Sequence, residues 1–471
     1  MAWFLRYCFI TITVLGYHTI TQTQTALNGL TEVAQKFDDL HEPIINPEET
    51  SSQEPYLSTC ADEKPEQKFK IKISGYVKYE CFEESRQTIN ARQGTILVAP
   101  KMPEYDPNHV DIYDAPHWNM AGIRSRIYFD ITGPKLGHTY TSAKIGADFA
   151  DAHEIAALRL RDASIQLYWE HDPRNNTRLI MGQSHHPLVL GEPYPATLGY
   201  SEGILINPAG FAPQVTIFRS IGSLMLIGSL NTFIRSLNGS TITAAERNAV
   251  VPSVFLAAEM KILEKSIINA GVNFHRIVPR LHTDAEIATL GEHFATTNGL
   301  NSWIAYLAAM IDTDTFKAKF RWLYAENGQR YYLLSGFATK AEGYNPETDE
   351  RHYTNLRSIS YWTELIYRYK KAEIGIFMGY VKNIGSRHQL VTDEDGLADT
   401  RFITTFYPDA AKTDYVLRIQ PRLQYYLDPL RFGMELEYCC AGYGQVNKFG
   451  RIEKSSPTSV ARLLFVACYV F

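Results

Sequence analysis

The sequence predicts an all-β fold: a transmembrane antiparallel β-barrel of sixteen strands, with eighteen as the alternative, long loops at one end and short turns at the other. Three observations carry this reading. Apolar and polar residues alternate with period two along most of the chain. Beyond the amino-terminus, no apolar run approaches the roughly 20 residues that a membrane-spanning helix needs. Tight turns alternate in order with long stretches rich in Gly, Pro and Asn. Period two sets one face of a strand against lipid and the other against the barrel interior. The composition agrees: the 471 residues are 45% hydrophobic, with 29 Tyr, 23 Phe and 6 Trp, yet mean hydropathy is slightly negative.

The chain divides into three parts. Residues 1–26 read as a secretory signal peptide: Arg6 supplies the charge, Cys8 to Gly16 the short apolar run, and cleavage falls between His18 and Leu27. Residues 27–67 form an acidic periplasmic segment, partly disordered. There Glu32, Asp38, Asp39, Glu42, Glu48, Glu49, Glu54, Asp62, Glu63 and Glu66 face only Lys36 and Lys64, and Pro43, Pro47, Pro55 and Pro65 interrupt regular structure. The barrel occupies residues 68–471. Cys60, Cys81, Cys439, Cys440 and Cys468 remain after processing; their odd number and the adjacent pair argue against a disulfide framework.

The strands follow in order. Phe69, Ile71, Ile73, Val77 and Tyr79 share one face of the first, against Lys70, Lys72, Ser74, Lys78 and Glu80. Ile123, Ile127, Phe129 and Ile131 oppose Arg124, Arg126 and Asp130, and Ile145, Ala147 and Phe149 oppose Lys144 and Asp148. Phe316, Ala318 and Phe320 oppose Lys317, Lys319 and Arg321. Leu417, Ile419 and Leu423 oppose Arg418, Gln420, Arg422 and Gln424; Phe432, Met434, Leu436 and Tyr438 oppose Glu435 and Glu437. The last strand alternates through Leu463, Phe465, Ala467 and Tyr469 and ends on Phe471, the carboxy-terminal aromatic by which the barrel-assembly machinery recognises its clients. Charge this regular on one face predicts a wet interior rather than a packed core.

Glu264-Lys265, Lys370-Lys371 and Asp428-Pro429 mark tight turns. Long connections lie near 83–117, 184–213, 231–252, 279–300, 383–413 and 442–457. An even strand number with both termini on the turn side requires 326–357 to be one long outer loop, despite the apolar run at 331–338.

The segments ISGYVKYECFEESRQT (73–88), LIMGQSHHP (179–187), FAPQVTIF (211–218), RNAVVPS (247–253) and RIQPRLQYYLDPLRFGMELEYCCAGYG (418–444), with the terminal strand, resemble a porin-like family of Gram-negative outer-membrane proteins. That family is similar to the DcaP-type dicarboxylate porins. The resemblance implies a homotrimeric diffusion channel in outer-membrane lipid.

Cations outnumber anions on the inward phase of the clean strands, although the whole chain carries a net charge of −5. A basic lumen concentrates small anionic solutes, and arginines grip carboxylate or phosphate bidentately. Arg124, Arg126, Lys317, Lys319, Arg321, Arg418 and Arg422 are the candidate pore-lining, anion-binding residues; the competing reading is a ladder in which Arg and Glu rows neutralise each other. The 184–213 loop is the expected constriction, with Glu192, Tyr194 and Glu202 at the eyelet, because loops of this length are uncommon without a function. His185-His186 reads as a strand-end pair rather than a metal site. Asp393, Asp395, Gly396 and Asp399 lack the full calcium-loop pattern. No motif calls for a cofactor or metal, and none for catalysis: G-x-S-x-G, the P-loop and the dinucleotide fingerprint are missing. Basic residues alternate along strands instead of clustering on a helix, which argues against nucleic acid as a partner. The alternatives to a pore are a closed-lumen adhesin and an outer-membrane lipolytic enzyme using His185 or His186.

Overall fold

The computed structural model describes residues 69–149, 158–172, 174–189, 193–199, 203–232, 245–284 and 286–471. Its main sheet contains 17 strand segments. Two of them, His117–Ala121 and Arg126–Thr132, pair in succession along one neighbour and are halves of a single interrupted strand. The sixteen resulting strands are β1 (Lys70–Glu84), β2 (His117–Ala121 and Arg126–Thr132), β3 (Thr139–Asp148), β4 (Arg159–Asp172), β5 (Asn175–His185), β6 (Phe211–Ile221), β7 (Leu224–Asn231) and β8 (Ser253–Leu263), followed by β9 (Ser266–Ile277), β10 (Leu300–Asp312), β11 (Phe316–Glu326), β12 (Arg357–Tyr369), β13 (Ala372–Gly385), β14 (Thr413–Leu427), β15 (Leu430–Val446) and β16 (Ile452–Val470). The three tight turns expected from the sequence join β8 to β9, β12 to β13 and β14 to β15.

Each strand pairs antiparallel with the next, and β16 returns to β1 with Tyr76 opposite Val470 and Glu84 opposite Arg462. Closure leaves no unpaired sheet edge, which a membrane barrel requires. Phe471 completes the seam: its N–H donates to the Gly75 carbonyl at 3.0 Å, and its carbonyl accepts from the Gly75 N–H at 2.8 Å. A Cβ on residue 75 would overlap the Arg126 carbonyl and lie 3.0 Å from the Phe471 ring. Glycine is therefore needed where the barrel closes.

The outward face is apolar. Ile71, Ile73 and Val77 on β1, Val215 and Ile217 on β6, Leu256 and Met260 on β8, and Leu423 and Met434 on β14 and β15 are all exposed. Aromatic rings sit towards both margins: Trp303, Trp322 and Tyr361 nearer the loops, Tyr367, Tyr425 and Tyr469 nearer the turns. This is the belt a transmembrane barrel presents to lipid.

The interior departs from the wet cavity that alternation predicts. Part of it is packed. The hairpin Thr88–Ala91/Ile96–Pro100 brings Leu97, Val98 and Ala99 against Val416, Cys439, Tyr443 and Val460 on β14–β16. The connection after β5 brings Ile204, Leu205 and Ile206 against Trp362, Phe377 and Val381 on β12 and β13. Leu334, Phe406, Tyr407 and Ala410 complete this cluster. A second cluster packs Leu188, Tyr331 and Leu333 on Ile227, Phe255, Ile304 and Leu323. A barrel of this size leaves space its own inward side chains cannot fill, and apolar loop segments occupy it. Each such fully buried side chain contributes roughly 1.5–3 kcal/mol.

Two loop expectations change accordingly. Of the 326–357 stretch, residues 327–335 turn into the barrel and bond to the post-β5 connection, with Leu205 N–H donating to the Tyr332 carbonyl at 2.8 Å and Leu334 N–H to the Leu205 carbonyl at 3.1 Å. The remainder adds a small sheet, Phe337–Thr339 between Tyr353–Asn355 and Ile403–Thr404. At 442–457 there is no long loop, because β15 and β16 stay paired out to Val446 and Ile452. The signal and acidic segments read from residues 1–67 lie outside the described residues.

Candidate functional site: the barrel interior

Between β5 and β6, residues 186–189, 193–199 and 203–210 fold inward, and 194–207 bond to the β11–β16–β1 half of the wall. Lys319 on β11 donates to the Tyr194 carbonyl at 2.9 Å. On β12, the Glu364 carboxylate accepts the Ala196 N–H at 3.0 Å. On β15, Glu435 accepts the N–H groups of Leu198 at 2.8 Å and Gly199 at 2.9 Å. Lys78 on β1 donates to the Leu198 carbonyl at 2.8 Å. Further along, Asn207 Oδ1 accepts from Trp362 Nε1 at 3.0 Å, and Ser360 donates to the Ile206 carbonyl at 2.7 Å. Side chains of opposite charge thus hold a backbone whose polar groups would otherwise be stranded. Of the three expected eyelet residues, Tyr194 lies on this segment, and Glu192 and Glu202 lie outside the described residues.

All seven candidate cations point inward, in two different settings. On the β11–β14 side they are consumed. Arg418, fully buried, pairs with Glu437 and donates to the Leu97 carbonyl at 2.8 Å, clamping the inward hairpin. Arg422 reaches Glu364 at 2.7 Å and Glu373 at 3.4 Å. It crosses β13 at Gly375, where an added Cβ would sit 2.5 Å from the guanidinium carbon. Lys319 lies 3.2 Å from Glu364 and Lys317 lies 3.0 Å from Asp312. Arg321 donates to the Leu188 carbonyl at 2.7 Å and lies over the Tyr306 ring at 4.3 Å. This side is the neutralised ladder, and its charges hold loops in place. The open basic filter expected of Arg418, Arg422 and Lys319 gives way here to buried ion pairs, because desolvated charges need partners.

The β1–β5 side differs. Arg124 lies 3.1 Å from Glu80, and Arg126 stacks over Tyr76 at 5.5 Å. Lys144 on β3 lies over the Tyr128 ring at 4.8 Å and is half-buried. Arg159 and Arg161 share Asp148, at 2.6 and 2.7 Å. Arg178 on β5 covers the Phe218 ring at 4.2 Å. Along the row Lys72–Asp130–Lys144 the charges alternate from strand to strand. Above it cations gather round few carboxylates. Arg161, Arg159 and Arg178 were not among the candidates; Arg159 and Arg161 turn inward in alternation with exposed Leu158 and Leu160, and a register shift between β3 and β4 follows Arg161.

His186 is enclosed: its Nε2 meets Asn231 Oδ1 at 2.7 Å, its Nδ1 accepts the Leu188 N–H at 3.0 Å, and its ring edge meets Tyr331. His185 stacks on Phe211. Asp393 accepts the N–H groups of Asp395 and Leu397, as a surface turn does. Among the described residues, no group of His, Cys, Asp and Glu has a metal-holding arrangement.

Neither a protein-family profile nor any curated protein matches the chain. Solved structures do. The outer-membrane channel DcaP of Acinetobacter baumannii superposes with a TM-score of 0.60 at 14% identity, over 87% of this chain and 100% of that one. The fold is that of the outer-membrane porins. The anion-selective porin of Comamonas acidovorans (TM-score 0.49, 8% identity, 86% of this chain and 100% of that one) and the Salmonella typhi OmpF complex with daunomycin (0.49, 9%, 86% and 98%) are weaker similarities; the assignment rests on the first. A porin fold with a lipid-facing apolar belt places the protein in the bacterial outer membrane.

Proposed function

We propose that this barrel is an outer-membrane channel for passive diffusion of small hydrophilic solutes, with a preference for anions such as carboxylates or phosphate. One observation supports it above the rest: inward cations crowd the β2–β5 wall, at Arg124, Arg126, Lys144, Arg161 and Arg178, while those of the opposite wall are held in ion pairs and on loop carbonyls. The path then runs off-axis, narrowed by the post-β5 connection at Tyr194 and along that basic wall, and its field raises the local concentration of anions. Assembly as a homotrimer, and recognition of the Phe471 end by the barrel-assembly machinery, belong to the same proposal; intact-complex mass spectrometry tests the first. Uptake by protein-loaded liposomes tests the function: swelling should be faster with succinate than with a neutral sugar of similar mass. Equal rates would remove the anion preference, and no swelling the channel.

The packed apolar cluster around Trp362, Phe377 and Val416 favours a second reading, a structural barrel with a closed lumen. The liposome experiment separates the two. A lipolytic role for His186 has no support in its position, since both ring nitrogens are engaged inside the barrel.

A further inference from the structure

On the outer wall, the loop-side margin of β11–β14 carries charge directly beyond its aromatic belt. Three outward rings form a row there: the centroids of Tyr361 and Tyr380 lie 5.5 Å apart, and those of Tyr380 and Tyr415 5.9 Å apart. Amphipathic rings of this kind sit at the level of lipid headgroups. Arg357 stands opposite Glu326 of β11, and Lys382 stands opposite Ile359 of β12 and Tyr415 of β14. Residues directly opposite across an antiparallel pair share a face, so both cations point outward with the rings. Lys382 is two residues past Tyr380 and Arg357 four past Tyr361, about 7 and 13 Å further along the strands. Arg387, just beyond the end of β13, joins them from the loop: its Nη2 donates to the Tyr324 hydroxyl at 3.5 Å and to Glu326 Oε1 at 3.4 Å.

The carboxylates in this group are committed, and the guanidinium groups are not. Glu326 is buried and also accepts from the Tyr324 hydroxyl at 2.8 Å and the Trp303 N–H at 3.3 Å. Asp414, also buried, accepts from Lys382 at 2.7 Å. Arg357 donates through Nε to the Gly385 carbonyl at 3.0 Å, and its two terminal nitrogens meet no acceptor among the described residues. The Arg387 side chain is 66% exposed and bonds through one nitrogen. Three cations against two buried carboxylates leave positive charge and unused N–H groups at the edge of the lipid-facing belt. The strands separate this margin from the lumen, so the anion that meets it comes from the membrane.

We propose that Arg357, Lys382 and Arg387 form a docking site for the phosphate of a phosphorylated lipid in the loop-side leaflet, whose acyl chains lie along the apolar belt below. Guanidinium forks match phosphate in two-point contact, and the long Lys382 stem reaches the headgroup level across its aromatic neighbour. The site stands on the outer wall and does not depend on what the lumen conducts.

The test is native mass spectrometry of the folded protein exchanged into detergent with equal amounts of lipid A and of lipid A stripped of its phosphates. Wild-type protein should retain the phosphorylated form preferentially, and excess inorganic phosphate should not displace it. Arg387→Gln, at an exposed position that folding does not need, should weaken the preference roughly tenfold, the loss of a charge-assisted hydrogen bond. Arg357→Lys keeps the charge without the fork and should weaken it several-fold. Lys265→Gln, an exposed cation at the β8–β9 turn on the opposite margin, should change nothing. Equal retention of the two lipids, or a preference unchanged in both Arg387→Gln and Arg357→Lys, would overturn the site. Displacement by inorganic phosphate would make it a site for the free ion, and lipid bound by single barrels but excluded from an intact assembly would give the face to a second copy; either result overturns the proposal.

Discussion

Glu364→Gln perturbs the interior at its most connected point. Glu364 is fully buried, accepts the Ala196 N–H, and lies between Lys319 at 3.2 Å and Arg422 at 2.7 Å. The substitution keeps the shape and an acceptor for Ala196 but removes the charge that compensates two desolvated cations. Removing one partner of a buried ion pair costs about 3–5 kcal/mol; Glu373 still attends Arg422 and the Tyr194 carbonyl still attends Lys319, which favours the lower end. The 194–199 segment should then detach before the barrel unfolds, since the strands keep their ladders. Urea unfolding in lipid reads the stability, and limited proteolysis from the loop side reads the segment. Lys319→Met added to Glu364→Gln should restore part of the loss, with a coupling of about 0.5–3 kcal/mol. A change below about 1 kcal/mol with unchanged proteolysis would refute the claim that buried charges tether this segment.

Three further outcomes follow from the same geometry. Arg418→Met leaves Glu437 buried without its cation and frees the Leu97 carbonyl, so proteolysis should open the 88–100 hairpin first, and Glu437→Gln should mitigate the effect. Gly375→Ala forces Arg422 off its path to Glu364 and should cost about 1–3 kcal/mol in urea unfolding. Burial pushes the His186 imidazole down to about 3 from its ordinary 6.5. Between those values the unfolded chain binds a proton that the folded site does not. Stability is therefore complete above pH 6.5 and falls by about 1.4 kcal/mol per unit towards pH 3; His186→Gln should flatten that part of the profile in unfolding measured against pH.

The strand architecture was legible because its cause is local. Lipid on one side and a channel on the other write a period of two into each strand, and Glu264-Lys265 or Lys370-Lys371 can only be a tight turn between two such runs. The filled lumen was not legible, because the apolar segments that fill it, at 96–99, 204–206 and 331–334, carry no period of their own. Nor does a single strand show what its charges meet. Arg418 and Glu437 are 19 residues apart and Arg422 and Glu364 are 58 apart, so the alternation that put Arg418, Arg422 and Glu437 on the inward phase could not show which charges pair. Glycine at 375 opposite Arg422 is the one sequence signal that a long side chain crosses a strand there. Arg159 and Arg161 alternate with exposed Leu158 and Leu160, so their inward phase is written in those four residues and ends only at the register shift beyond Arg161.

In the proposed channel the solute path follows the basic β2–β5 wall. The most direct measurement is single-channel reversal potential in a potassium chloride gradient, for the wild type and for Lys144→Glu, which lies on that wall and is not buried in an ion pair. Discrete current steps, an anion-favouring potential, and a shift towards cations in the variant are expected. Folded protein that gives no steps, or steps whose potential favours cations, would contradict that reading.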